Sequence, residues 1–500
     1  MNRRSGGWRC VAVGLLVGAL LASCGGSGIT QSTFNSSAFA ARCAAPRAGL
    51  DQQGTASDEK TWLRLWTDEL YLWYSEVPGN DPSAFATPQD YFEVLKTFQL
   101  SPSGNAKDRF HFIIPTAQWI QLSQSGVSAG YGVEWDVIAP RPPRSVRAAF
   151  TEPGSPGAAK NILRGATVIA VDTANVVDGD PNVLNAGLFP ANANETHSFT
   201  IQDPGGGTRT ISMVSANVQS TPVQNVKTIG TVGYLQFNDH IATAESQLVA
   251  AVNQLKASNV TDLVLDIRYN GGGFLDIASE LAFMIAGPTR TSGKTFEKLS
   301  FNDKYPTFDP VTGQPILPEP FLGTGQGFTA PPSQPVRGQS LPFFTNLTRV
   351  FVLTGSGTCS ASESIINSLR GIDLDVIQIG STTCGKPYGF YPADNCGTTY
   401  FSIQFKGVNA KGFGDYSDGF VPGGTSPASL PGCQVADDLD HQLGDPAEAR
   451  LAAALGYAAG QPCPAPTFGP ASSTTALTAA GRGRDLVAKP PWRENRILRR

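Results

Sequence analysis

The sequence predicts a multi-domain α/β protein whose largest domain is a mostly parallel sheet with crossover helices. The first reason is that strand-like and helix-like patterns alternate through residues 233–237, 243–255, 262–267 and 275–285. The second is that the alternation returns in residues 349–379. Strands that alternate with helices in this way are typical of βαβ units, in which the strands run parallel. The third is length, because 500 residues are enough for two to four domains.

The N-terminus carries the only strongly apolar run of the chain. This run, residues 11–21, follows three arginines and is too short to span a bilayer comfortably, so we interpret residues 1–23 as a signal peptide. It ends in Leu-Ala-Ser-Cys, which resembles a bacterial lipobox and implies lipid attachment to Cys24. Gly25, with no aspartate after the cysteine, resembles the sorting pattern for the outer membrane. We expect a lipid-anchored envelope protein on the outer membrane, facing the periplasm. The alternative is a plain signal peptide with an incidental cysteine.

Residues 24–50 are rich in small and polar residues, which predicts a flexible tether. Residues 51–120 predict a small helical domain, because apolar residues recur at helical spacing in two stretches. The first face holds Trp62, Trp66, Leu70 and Trp73, and the second opens at Thr87 and Pro88 and holds Phe92, Leu95 and Phe98.

The charge balance argues against a nucleic-acid partner. Charged residues make up 16% of the chain and the formal net charge is -4, with no basic or acidic block in its body. Proteins that bind nucleic acid normally present a clustered basic face.

Residues 349–371 predict a strand, a sharp turn and a helix. The strand pattern covers residues 349–354, and the helix pattern begins at Ser360. A serine at this position meets outward-pointing backbone N–H groups that can stabilise an oxyanion. We therefore interpret Ser360 as a nucleophile, although a serine at a helix start is more often only a cap.

A second strand pattern, residues 374–379, leads into a glycine loop that contains Lys386. We interpret Lys386 as the base that activates Ser360. A lysine in such a loop is more often a solvated charge. The loop is also a near miss for a phosphate-binding motif, but Pro387 replaces the hydroxyl residue that would hold magnesium, and strand-like residues follow. Nucleotide binding is therefore set aside.

Two motifs resemble the C-terminal processing (tail-specific) peptidases and the related tricorn core. The first is Thr-Cys-Ser-Ala-Ser-Glu at residues 358–363, followed by Thr-Cys-Gly-Lys at 383–386; the second is Asp-Ile-Arg-Tyr-Asn-Gly-Gly-Gly at 266–273. The resemblance covers roughly residues 60–460 and implies a serine peptidase with a Ser360–Lys386 dyad. It also implies an oxyanion hole formed by the amides of Gly272 and Ala361. The peptidase core is expected to occupy residues 221–463.

This chain departs from the family pattern near the lysine. Many members carry a glutamine four residues after the lysine, where this chain has Phe390. Glu363 matches a position that assists catalysis in some relatives, although it could equally be a first-turn carboxylate that interacts with the helix dipole. A histidine base remains an alternative, with His240 the least implausible of the four histidines. For Lys386 to act near neutrality, burial must lower its pKa from about 10.4.

Residues 121–220 resemble a PDZ-type domain. The sequence Gly130, Tyr131, Gly132, Val133 is similar to the loop whose backbone N–H groups hold a peptide's terminal carboxylate, and residues 165–172 resemble a later part of such a domain. The resemblance implies that an extended peptide is added to the edge of a sheet.

Six cysteines remain after the signal peptide and Cys24, which in an exported chain suggests disulfides with fifteen possible connectivities. We predict Cys384 to pair with Cys396. Cys359 could be a catalytic thiol, but we favour a structural disulfide. Residues 288–345 are proline-rich and predict an irregular excursion over the cleft, and residues 464–500 predict a disordered tail.

The sequence thus predicts a lipid-anchored serine endopeptidase that cleaves unfolded or C-terminally presented peptides. Its partners would be a peptide or unfolded protein and, through the lipid on Cys24, a membrane; no cofactor or metal is implied. The alternative of another class is a peptide-binding lipoprotein whose peptidase fold is catalytically weak or inactive. A secreted esterase is a third possibility.

Overall fold

The structure is a computed structural model that describes residues 35–101, 103–328, 335–466, 486–491 and 496–498. The predicted signal peptide and Cys24 lie outside these residues. Among the helices of the described ranges, none is both long enough and apolar enough to cross a membrane.

The first described residues are held firmly by the region that follows. The Glu69 carboxylate accepts hydrogen bonds from the N–H and the hydroxyl of Ser36, at 2.7 and 2.6 Å. Cys43 forms a disulfide with Cys396. The prediction of a flexible tether over residues 24–50 is therefore wrong for its described part, because covalent and hydrogen bonds fix it.

The N-terminal helical region is built on one long helix. Thr55 caps this helix by accepting a hydrogen bond from the N–H of Asp58 at 3.1 Å, and Trp62 is buried.

The second predicted helix ends at Phe92, and the side chain of Phe98 is 47% exposed. The prediction that Phe98 lies on a buried helical face is wrong, because the chain leaves the helix before it. The elements are 3-10 helices Ser36–Ala38, Tyr74–Glu76 and Pro82–Ala84, strands β1 (Arg42–Cys43), β2 (Gln52–Gln53) and β3 (Phe112–Pro115), helices α1 (Ala56–Leu70), α2 (Pro88–Phe92) and α3 (Thr116–Ile120), and the π-helix Gln121–Ser125.

The next region is dominated by an antiparallel sheet, here called the second sheet, in the order β10-β9-β7-β6-β5. Strand β8 pairs with β7, and β4 pairs with β11 in a separate two-stranded sheet. Strand β5 is therefore an edge strand. The elements are β4 (Val127–Gly130), β5 (Val133–Ala139), β6 (Ser145–Thr151), α4 (Pro156–Ala159), β7 (Thr167–Val171), β8 (Ala174–Asn175), α5 (Pro181–Leu188), β9 (Thr196–Gln202), β10 (Thr208–Val214) and β11 (Ala216–Gln219).

The central sheet confirms the prediction of a mostly parallel α/β core. Its order is β12-β13-β14-β18-β19-β26, and all neighbours run parallel except β12 and β13. Apolar residues of α6, α7 and α8 form one buried cluster with its strands. These elements are β12 (Val223–Ile229), β13 (Val232–Phe237), α6 (Ala244–Ala257), β14 (Asp262–Asp266), β15 (Gly272–Phe274), α7 (Leu275–Thr291), β18 (Arg349–Thr354), α8 (Ala361–Gly371), β19 (Asp375–Gly380), β26 (Gly432–Gln434) and α9 (Ala449–Ala458).

The proline-rich excursion is more regular than predicted. Its strand β16 pairs with β17 and β23, so part of residues 288–345 belongs to a smaller antiparallel sheet. The other strands of the core region are β16 (Thr295–Ser300), β17 (Glu319–Pro320), β20 (Tyr388–Gly389), β21 (Ala393–Asn395), β22 (Thr398–Phe401), β23 (Phe405–Val408), β24 (Val421–Pro422) and β25 (Ser429–Leu430).

The chain returns to the molecule after α9. Residues 486–491 pack against the second sheet, and strand β27 (Arg496–Leu498) pairs in parallel with β15. We call residues 486–491 together with 496–498 the return segment. The prediction of a disordered tail over residues 464–500 is wrong for these residues, because they find sheet edges and an apolar core to pack against.

Candidate active site

Ser360 lies where β18 turns into α8, and its backbone is strained. Its φ of 66° is in the left-handed region that L-residues rarely occupy. Thr358 secures the turn, since its hydroxyl donates to the carbonyl of Ile267 and accepts the N–H of Gly355, both at 2.9 Å. Ser360 is fully buried, and within the described part of the chain its hydroxyl has no hydrogen-bond partner.

The Glu363 carboxylate joins the serine turn to the lysine loop. One of its oxygens, Oε2, accepts the N–H of Ser360 at 2.9 Å and the N–H of Lys386 at 2.8 Å. The other, Oε1, accepts the N–H of Gly385 at 2.8 Å and the hydroxyl of Thr383. Burial raises the pKa of Glu363, and these hydrogen bonds oppose that effect. The backbones at Ser360 and Lys386 therefore meet at one oxygen atom.

A disulfide between Cys359 and Cys384 makes the same connection covalently. It bonds the residue before Ser360 to the loop of Lys386. The predicted Cys384–Cys396 pair is wrong, because Cys384 faces Cys359 across the site while Cys396 reaches Cys43. The preference for a structural role of Cys359 agrees with this bond. The two sulfurs lie within 4.8 Å of a Glu363 oxygen, but a disulfide has no thiolate to offer a metal.

Lys386 is fully buried between aromatic rings. Its Nζ lies 4.2 Å from the ring centroid of Phe390 and 5.0 Å from that of Phe110. Tyr388, two residues further on, packs edge-on against Trp73 with 4.8 Å between ring centroids. Phe390 follows Lys386 closely in the sequence, whereas Phe110 comes from a distant part of the chain that offered no sequence signal.

Asn270 organises the second predicted turn. Its Oδ1 accepts the N–H of Gly272 at 3.0 Å and lies 2.9 Å from Nδ1 of His240. Its backbone carbonyl accepts the N–H of Cys359 at 3.1 Å and the hydroxyl of Ser362 at 3.0 Å. The glycine turn and the serine turn are thus held together, as the family resemblance implied.

The Gly272 amide differs from the expectation, because it is already bonded to Asn270. Strand β15 has two edges. His240 occupies one of them, since its N–H donates to the carbonyl of Gly272 and its own carbonyl accepts the N–H of Phe274. Backbone groups of successive residues in a strand point to opposite edges, so the N–H and C=O of Gly273 face the other edge, which is paired with β27.

The histidines take structural positions. His240 is buried and holds Asn270, as described above. His111 stacks on Phe92, with 3.8 Å between ring centroids, and burial lowers its pKa to about 4. His197 and His441 lie beside Asp172 and Asp438. These contacts give the histidine alternative no support.

The predicted peptide-binding residues lie where β4 leads into β5, the edge strand of the second sheet, apart from the serine and lysine turns. Gly130 ends β4, Val133 begins β5, and the two residues between them connect the strands. The carbonyls of this connection point inward, since that of Tyr131 accepts the N–H of Gly157 at 2.8 Å and that of Gly132 accepts the N–H of Glu152 at 2.6 Å.

Arg164 links this region to the glycine turn. Its guanidinium donates to the Tyr269 hydroxyl at 2.7 Å and to Oδ1 of Asp437 at 2.8 Å. Arg268, beside Tyr269, donates to the same carboxylate oxygen at 2.8 Å. Arg268 and Tyr269 belong to the motif at residues 266–273, but sequence reasoning missed their network, because ion pairs between distant segments leave no local pattern.

The fold and these turns can now be compared with known proteins. Residues 231–389 match the model of peptidase family S41, and residues 58–111 match the peptidase S41 N-terminal domain. Over these two stretches the chain is similar to S41 peptidases, and its curated relative is a C-terminal processing peptidase.

A carboxyl-terminal-processing protease from Picosynechococcus sp. is 26% identical over 278 residues, which are 53% of this chain and 56% of that relative. The match thus spans little more than half the length of the relative. Among solved structures, an S41 protease from Bacteroides fragilis NCTC 9343 has a TM-score of 0.57 at 22% identity, over 80% of this chain and 97% of that one. This likeness shows a shared fold.

Proposed function

We propose that the chain is a serine endopeptidase that cleaves unfolded or C-terminally presented peptides with a Ser360–Lys386 dyad. One observation carries the proposal. The N–H groups of Ser360 and Lys386 donate to the same oxygen of Glu363, so the backbones of a strained serine and a buried lysine are held side by side. This places the two residues in the same buried site, as a nucleophile and its base require.

In the proposed reaction, neutral Lys386 accepts the proton of the Ser360 hydroxyl as Oγ attacks the peptide carbonyl. The resulting oxyanion lies at the N-terminus of α8, where the Ala361 N–H and the positive end of the helix stabilise it. Collapse of this intermediate releases an amine that takes the proton from Lys386. Water, deprotonated by Lys386, then hydrolyses the acyl-enzyme. Glu363 is a positioning residue in this scheme.

The second amide of the oxyanion hole was expected from Gly272. Because that amide is bonded to Asn270, Gly273 is the better candidate, since its N–H faces the strand edge nearer to the return segment. For Gly272 to serve, the Asn270 side chain would have to turn away.

The substrate class rests on the relative and on the second sheet. The curated relative is described as a carboxyl-terminal-processing protease. Strand β5 lies at the edge of the second sheet, and a PDZ-like domain captures peptides at such an edge, next to the loop of residues 130–133. We propose that this domain presents peptide ends to Ser360.

The location is proposed from the N-terminus and from the cysteines. Lipid on Cys24 would anchor the chain to the outer membrane, facing the periplasm. Three disulfides, Cys43–Cys396, Cys359–Cys384 and Cys433–Cys463, suit an oxidising compartment of this kind.

A second candidate function is peptide binding with weak or no catalysis. The observation that favours it is Phe390, which stands where many family members carry a glutamine and presents only a ring to Lys386. Such a protein would hold peptides without cutting them.

Hydrolysis of a denatured protein by the mature chain tests the proposal, next to Ser360→Ala, Lys386→Ala and Ser368→Ala. Among the described residues, the Ser368 hydroxyl donates only to the carbonyl of Ile365 within α8, so Ser368→Ala is a matched control. We expect cleavage by wild type and by the control, and none by the other two variants when circular dichroism shows that they are folded. Binding of the denatured protein without cleavage by wild type would favour the second function.

A further inference from the structure

We propose that the return segment is a built-in peptide ligand of the candidate active site, held where a substrate strand would bind. This inference rests on the proposed function, because it identifies the strand edge that substrate uses. Two groups of contacts carry it, one at β15 and one at the second sheet.

At the glycine turn, the return segment behaves as an added strand. Residues 496, 497 and 498 pair in parallel with Gly272, Gly273 and Phe274. The opposite edge of β15 is occupied by His240, so this is the edge left for a further strand. Addition of an extended peptide to a sheet edge is a recurring way in which proteins hold peptides.

The same strand lies close to the elements that carry the catalytic candidates. Cα atoms of β27 come within 8 Å of Cα atoms in α8, which begins one residue after Ser360, and in β20, which begins two residues after Lys386. Ser360 and Lys386 are each 0% exposed. A peptidase in this state cannot admit a substrate carbonyl to the serine, so the site must open before a peptide reaches Ser360, and a substrate strand on β15 must replace β27.

The other part of the return segment is anchored on the second sheet. The Asn185 side chain in α5 accepts the N–H of Ala488 at 3.1 Å and donates to the carbonyl of Leu486 at 2.9 Å. The Val487 N–H donates to the carbonyl of Pro140 at 3.1 Å, and its side chain is buried in the core of the sheet.

These contacts define a direction along β5. Val487 is bonded just beyond the end of β5, at Pro140, whereas the Lys489 ammonium pairs with Glu134 near the start of that strand. The residues therefore run antiparallel to the edge strand β5 and beside α5, toward the loop of residues 130–133. This is the groove in which a PDZ-like domain would hold a peptide.

One segment thus occupies both places where a substrate peptide would bind. Because it is part of the chain, its effective concentration is on the order of millimolar. A substrate peptide must compete with it, so the segment sets the apparent KM of the enzyme.

Removal of the strand tests the proposal. A variant that ends at Pro491 keeps the anchor on the second sheet and loses β27. We expect its kcat/KM on a denatured protein to rise roughly tenfold, mainly through KM, as a millimolar internal ligand with a Kd of about 0.1 mM would require. In the full-length chain, Leu498→Pro should act in the same way, because proline lacks the N–H that strand pairing uses. Leu317→Val, at an exposed leucine outside the return segment, is the control and should leave kcat/KM unchanged.

A binding measurement separates this inference from the proposed function. A fluorescent peptide of residues 492–500 is added to the Ser360→Ala variant that ends at Pro491, beside a scrambled peptide of the same composition. We expect the native peptide alone to bind, and to bind the full-length Ser360→Ala chain at least tenfold more weakly. Binding in a chain that never cleaves denatured protein would refute the peptidase but support the inference. An absence of binding, or an unchanged or lower kcat/KM after removal of β27, would overturn the inference.

Discussion

Ser360 keeps a backbone conformation that usually costs about 1–3 kcal/mol. Its neighbours hold it there. The Ser360 N–H is bound by Glu363, its carbonyl accepts the N–H of Ser364 at 2.9 Å in the first turn of α8, and Cys359 is bonded to Cys384. A strained serine that is fixed on both sides needs little reorganisation before it attacks, which is what a preorganised nucleophile requires.

Two opposing effects act on Lys386. Complete burial disfavours the ammonium form, whereas the faces of Phe390 and Phe110 stabilise a cation that lies over them. The neutral form is the one that can accept a proton from Ser360. Phe390 therefore opposes the base function that is proposed for its neighbour.

Replacement of Phe390 by leucine should leave more of Lys386 in the neutral, proton-accepting form at low pH. The variant Phe390→Leu keeps the site apolar and removes one aromatic ring that faces the ammonium group. The lost cation–π interaction stabilises the ammonium form by roughly 0.5–1 kcal/mol. The ammonium form then loses stability, so the acidic limb of kcat/KM against pH should move to lower pH by about half a pH value. Phe112→Leu is the control, because Phe112 packs against Phe390 with 5.9 Å between ring centroids and lies in the same core. A limb that moves to higher pH, or moves equally in both variants, would contradict the prediction.

At the scale of elements, the candidate site is a junction of two strand-to-helix turns and one loop. The Cys359–Cys384 disulfide closes the serine turn onto the lysine loop, at a sequence separation of 25. The Cys433–Cys463 disulfide closes a segment of similar length, at a sequence separation of 30. Cys433 lies in β26, an edge strand of the central sheet. The two bonds are therefore a matched pair for a test.

Loss of each disulfide should cost similar stability, but only one should cost activity. Double replacement by alanine removes about 3 kcal/mol of unfolding free energy in either case, since the closed loops have similar lengths. We expect the Cys359→Ala/Cys384→Ala variant to lose most of its kcat, because the Lys386 loop is no longer bonded to the Ser360 turn. The Cys433→Ala/Cys463→Ala variant should keep its kcat. Urea unfolding and hydrolysis of a denatured protein measure the two effects, and equal losses of kcat would show that the first bond only stabilises the fold.

Local signals were enough to predict much of this junction. The strand, turn and helix around Ser360 appear at residues 349–371, because apolar runs, glycine and helical spacing are encoded in neighbouring residues. The disulfide partners were not predictable, since six cysteines permit fifteen pairings and only the fold decides which meet. The role expected of the Gly272 amide stays a prediction, and sequence could not show that the Asn270 side chain folds back onto that amide.

The return segment shows a different limit of sequence reasoning. Residues 464–500 have the composition of a disordered tail. Composition predicts whether a segment can fold in isolation, not whether it can bind to surfaces formed elsewhere in the chain. The edge of β15 and the groove beside β5 are made by residues more than two hundred positions away in the chain. A segment that folds only against such surfaces leaves no local pattern of its own.

At the scale of the whole molecule, Glu152 ties the second sheet to the central sheet. It follows β6, and its carboxylate accepts the N–H of Thr221 at 2.9 Å, just before β12, and the side-chain amide of Gln224 at 3.1 Å, in β12 itself. Burial raises the pKa of Glu152 to about 7, although the hydrogen bonds oppose that effect. The folded protein therefore holds this proton in a range where the unfolded chain has released it.

The stability of the fold should fall as Glu152 titrates. Its pKa is raised above the unfolded value of about 4.5, so its contribution is fully present below that pH and is lost as pH rises through about 7. The loss amounts to about 3 kcal/mol of unfolding free energy. Glu152→Gln removes the titration and keeps an acceptor for Thr221, so the stability of wild type relative to the variant should fall between pH 5 and 8. Urea unfolding of both proteins across this range measures the difference. A stability difference that stays constant with pH would contradict the prediction. It would show that Glu152 has already lost its proton in the folded protein across this range, as it has in the unfolded chain.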